Sequence, residues 1–179
     1  MLLASCGGGG ASAPPDQMGP CGPVDSMSGG QVELGTGNLA FEPMPDMLPI
    51  IMDASQAAPH LLVQSRIRGI PPGDPDNLLD PGNPQTKVSV VIDALGVTLG
   101  GAYPARYGYV PSPDPGASCA FDLKQAIGVS LEMTPPDQAA GQQARITIVV
   151  TGSNGVSGQD MKLVTLTPPA AASSTPAAR

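Results

Sequence analysis

Between Val32 and Thr167 apolar residues recur at every second position, in runs too short for helices, with prolines and glycines between the runs. A side-chain period of two belongs to a strand with one face in a core and one in water. No stretch sustains the 3.6-residue repeat of an amphipathic helix. The chain holds 22 prolines and 23 glycines in 179 residues, about a quarter of its length. Here they act as punctuation, which predicts an all-β domain of short strands and tight turns.

The pattern names the strands. His60–Arg68 places Leu61, Val63 and Ile67 on one face and Gln64, Arg66 and Arg68 on the other. Lys87–Asp93 directs Val88, Val90 and Ile92 inward, and Ile127–Met133 does the same with Ile127, Val129, Leu131 and Met133. Shorter candidates lie at Gln31–Leu34, Ala40–Glu42 and Leu48–Met52, with another around Tyr107 and Tyr109. The last two runs, Ala144–Thr151 and Asp160–Thr167, flank Asn154-Gly155, the preferred pair of a two-residue type I′ hairpin turn. That turn opposes Ile148 to Met161 and Ile146 to Leu163, burying these four. It leaves Val149, Val164 and Leu166 on the other side, which another segment covers or a partner docks against.

Residues 127–167, with the Pro136–Gln143 connection, resemble the closing F–G hairpin of bacterial immunoglobulin-like domains. The resemblance implies a β-sandwich of about seven or eight strands. Ala144 stands where such sandwiches often carry a tyrosine, and Gly152 and Ser153 stand where some relatives carry a calcium-binding aspartate, so no metal site is implied.

Outside the periodic region the sequence speaks of location. Leu3-Ala4-Ser5-Cys6, followed by four glycines, resembles a bacterial lipobox, in which the cysteine is lipidated and becomes the mature N-terminus. Only Met1 and Leu2 precede it, so the expectation is a start codon further upstream that supplies the missing signal peptide. Residues 1–5 are then a signal-peptide remnant. Residues 6–31 form the lipid anchor and a disordered Gly/Pro-rich tether, 32–167 the β-sandwich and 168–179 a disordered tail. The Gly-rich head, with Glu33–Gly37, Phe41–Pro43 and a histidine entering a strand, is similar to myxobacterial lipoproteins of uncharacterised function. Gly7 after the cysteine, rather than aspartate, favours the outer membrane by that likeness. With Cys6 lipidated, Cys21 and Cys119 are left as a candidate disulfide, in keeping with an oxidising envelope.

A net charge of −7 argues against nucleic acid, whose binding draws on a basic surface. Catalytic readings are thin. There is one histidine, His60, and no Gly-x-Ser-x-Gly elbow; Cys119 with His60 has nothing to orient the pair. Two acids could in principle meet for glycoside hydrolysis, but the chain has three tyrosines, two phenylalanines and no tryptophan to hold a sugar. Met44, Met47, Met52 and His60 supply soft ligands of the kind Cu(I) prefers, although methionine also fills cores. Asp74, Asp76, Asn77, Asp80 and Asn83 crowd a loop with hard oxygen ligands in a spacing that fits no EF-hand. The expectation is therefore a lipid-anchored lipoprotein without cofactor, acting as a non-enzymatic binding, adhesion or envelope-assembly module with a protein or envelope-polymer partner. Copper handling through Met44–His60 is the alternative and a small hydrolase the third reading.

Overall fold

The computed structural model describes residues 29–52, 58–101, 103–132 and 134–169. Two six-stranded sheets pack face to face. The first contains β1 (Gln31–Thr36), β2 (Glu42–Pro43), β4 (His60–Arg68), β8 (Tyr109–Pro111), β9 (Phe121–Leu123) and β10 (Ile127–Ser130). The second contains β3 (Met47–Pro49), β5 (Gln85–Ile92), β6 (Val97–Leu99), β7 (Ala105–Arg106), β11 (Gln143–Thr151) and β12 (Ser157–Thr167). One short helix, α1 (Pro136–Ala139), precedes β11 and carries proline in its first turn, where a missing N–H costs nothing.

In the first sheet the order is β2-β1-β4-β9-β8, and β10 lies along the same edge of β4 as β9. In the second it is β3-β12-β11-β5-β6, with β7 also on β5. The chain crosses between sheets at Met44–Asp46, so β2 belongs to one and β3 to the other, where β3 runs parallel to β12. The core is built as the alternation predicts: Leu61, Val63 and Ile67 face Val88, Val90 and Ile92, with Ile146 and Ile148 beside them. Strand β4 departs from a half-buried strand. Its second face is covered too, so Gln64 and Arg66 are buried although the pattern assigns them to water.

The final hairpin corrects the expected register. Gly152 N–H donates to the Val156 carbonyl and Gly155 N–H to the Gly152 carbonyl, which closes a three-residue loop, Ser153–Gly155. Only Gly155 takes positive φ, +81°, and Asn154 Oδ1 accepts the Val156 N–H instead. The extra residue moves β12 by one position, so Ile148 opposes Asp160 and Ile146 opposes Lys162. A one-residue slip turns every side chain over. Val164 and Leu166 are therefore buried in the core, Met161 and Leu163 are 55% and 51% exposed, and Val149, Val164 and Leu166 do not share one face. Val149 alone stays on the outer face, half-buried beside Gln159.

The cause lies in β1. It packs across the inner side of β12, with Gly30 N–H donating to the Ser157 carbonyl and Leu34 N–H to the Asp160 carboxylate. A Cβ on Gly158 would meet the Gly30 carbonyl oxygen at 2.5 Å, so this close crossing needs glycine there. Lys162 extends to the Met44 carbonyl and Asp46 at the rim. In the two-residue register Gln159 would take the place of Gly158 and exclude β1.

This register is testable by a pair of lysine substitutions. Val164→Lys places an ammonium in the core and should cost about 3 kcal/mol or more. Met161→Lys on the outer face should change stability by about 0.5 kcal/mol or less. Urea denaturation of both variants measures the contrast, and equal effects would contradict the register.

Candidate functional site

Three polar groupings lie on this frame. The first joins the sheets. The Tyr109 hydroxyl lies 2.9 Å from Ser65 Oγ of its own sheet and 3.1 Å from Thr86 Oγ1 of the other. All three residues are buried. Burial pushes the phenol up to about 12, against the two hydroxyl partners, which pull it down. The ring of Tyr109 fills the core while its oxygen ties both layers at one height.

The second grouping covers the outer face of the first sheet. Arg66 Nε donates to Asp122 Oδ1 at 2.7 Å and Nη2 to Oδ2 at 3.2 Å, a two-point pair between adjacent strands. Nη1 reaches Asp114 at 3.2 Å, and Nη2 also donates to Ser112 Oγ at 2.9 Å. The Phe41 ring lies 4.3 Å from the guanidinium carbon and packs across Gly35. Asp122, foremost through its hydrogen bond, raises the Arg66 pKa, against the opposing effect of desolvation. The cluster fixes the 112–120 connection between β8 and β9, in which Cys119 sits at φ +59° and is disulfide-bonded. Arg66, Asp122, Asp114 and Ser112 thus hold one another in place across β4, β9 and the connection.

The third grouping is concave. Strand β10 pairs with β4 alone among the described residues, and its other edge opens on a cleft of about 240 Å³ between the sheets. Thr86 and Val88 form its base, with Tyr103, Tyr107 and Glu132 around it. A second cleft of about 460 Å³ continues past Tyr107, Ile127 and Gly128 toward Leu78 and Lys124. The first lies below and the second within the roughly 300–1,000 Å³ of small-molecule sites.

The residues singled out from sequence are dispersed. Met44 is buried in the core, whereas Met47 and Met52 are 62% and 59% exposed. His60 is buried with Nδ1 3.4 Å from the Ala58 carbonyl. Cys119 lies two residues before Phe121, whose partner on β4 is Ile67, at the far end of that strand from His60. Among the described residues no three His, Cys, Asp or Glu side chains converge as for a metal ion. In the acidic loop Asp74, Asn77 and Asp80 accept the N–H groups of Asp76, Leu79 and Gly82, and buried Asn83 accepts that of Asp74. These side chains build turns. Cys6, Cys21 and Met133 lie outside the described residues. The alternation missed both the Arg66 cluster and the cleft, because each depends on which strands become neighbours.

Comparison with protein-family models, with curated proteins and with solved structures returns no match.

Two substitutions test the polar groupings. Tyr109 is neutral in both states below pH 10; above it the unfolded phenol ionises first, so this tyrosine withdraws stability as pH rises from about 10 to about 12. Tyr109→Phe should cost about 1–3 kcal/mol at neutral pH and flatten that alkaline decline. Asp122→Ala leaves the Arg66 guanidinium buried beside a lost partner and should cost about 3–5 kcal/mol. Denaturant titrations across pH read both effects.

Proposed function

We propose that this protein is a lipid-anchored lipoprotein of the bacterial envelope whose immunoglobulin-like sandwich is a non-enzymatic binding module. The strand order supports the immunoglobulin-like reading. β12-β11-β5-β6 follows the order of the G, F, C and C′ strands, and β1-β4-β10 that of A, B and E. The observation that supports the binding reading is the pair of adjoining clefts beside the edge of β10 that no described strand pairs with. The envelope assignment draws on the lipobox-like Leu3–Cys6 and on the disulfide at Cys119, a bond that persists in oxidising compartments. Lipid on Cys6 would attach the protein to a membrane, the outer membrane by the identity of Gly7, and would leave Cys21 to pair with Cys119.

Expressed behind a signal peptide in a Gram-negative host, the protein should incorporate labelled palmitate and partition into detergent. Cys6→Ser should abolish both. Unlabelled protein, or labelling that survives the substitution, would remove the lipid anchor from the assignment.

A further inference from the structure

We infer that the open edge of β10 receives an extended peptide strand carrying a basic residue, which meets Glu132 while alternate small aliphatic side chains enter the cleft. This deepens the binding-module reading and rests on it. Leu131 N–H donates to the Pro59 carbonyl, on the β4 side. Backbone direction alternates along a strand, so Val129 and Ile127 also address β4, and the N–H and C=O groups of Gly128 and Ser130 address the open edge. Both residues line the cleft. An added strand would hydrogen-bond to them, and half of its side chains would point between the sheets toward Val88 and Tyr107. A peptide in this slot extends the first sheet by one strand.

Glu132 supplies the charge preference. It lines the same cleft at the end of β10, is exposed, and is held at φ +50°, a left-handed conformation unfavourable for a residue with a Cβ. Its N–H donates to Ser130 Oγ at 2.9 Å, which fixes the turn. The fold thus places a carboxylate beside the strand edge at a backbone cost, within a chain of net charge −7. At the other end Lys124 is already paired with Asp76, so Glu132 sets the preference for a cation.

The test uses the full chain, labelled with nitrogen-15, titrated with the blocked peptide Lys-Val-Ser-Val-Thr-Val-Ser. Binding should shift the amide signals of Gly128 and Ser130 and slow their hydrogen exchange. Glu132→Lys should weaken the complex about tenfold, and replacing the peptide's lysine by glutamate should restore it. Shifts confined to other surfaces, affinity indifferent to the charge exchange, or no binding up to the solubility of the peptide would each overturn the inference. Palmitate labelling is a separate readout: its loss with peptide binding intact removes the anchor alone.

Discussion

The alignment of β11 against β12 decides which side chains fill this sandwich. β11 is paired on both sides, to β12 and to β5, so its register passes directly to the centre of the second sheet. With Gly152 opposite Val156, the buried face of β12 changes character along its length. Val164 and Leu166 enter the core, while Gly158, Asp160 and Lys162 meet β1 and the Met44–Asp46 crossing at the rim. An apolar residue at Asp160 would leave the Leu34 N–H without its acceptor, and a uniformly small inner face would leave the core unfilled. The sheets close along this flank because glycine and carboxylate stand where β1 arrives.

Two polar seams then hold the layers and their cover. Tyr109 spans the sheets through Ser65 and Thr86, so its hydroxyl is satisfied from both sides and the phenol stays neutral. Arg66 gathers Asp122, Asp114 and Ser112 on the outside of β4 under the Phe41 ring. Buried ion pairs add little net stability over apolar packing, but they fix partners and geometry. Here the geometry fixed is the 112–120 connection that presents the disulfide-bonded Cys119.

The opposite flank stays open, and this asymmetry underlies the proposed function. β9 and β10 share one edge of β4 end to end, and β8 extends only the β9 half. Beside β10 the position of a further strand is left as a cleft, bordered by Tyr103 and Tyr107. Unpaired strand edges are usually hidden or blunted, since they recruit other chains. The edge of β10 is set in a concave surface and flanked by Glu132 at φ +50°, and the proposed peptide recognition draws on these two features.

The local pattern alone determined much. The strand at His60–Arg68, the inward sets of Val88, Val90 and Ile92 and of Val129 and Leu131, and a hairpin near Asn154-Gly155 follow from alternation and turn chemistry within a few residues. Tertiary contact decided the rest. Two- and three-residue loops both satisfy Ser153–Gly155, and the approach of β1 to Gly158 selects between them, which is why Val164 lies inside and Met161 outside. Arg66 reads as a solvated residue until Asp122, 56 positions away, becomes its neighbour. The cleft has no sequence signature, because it lies where, among the described residues, β10 lacks a second neighbouring strand.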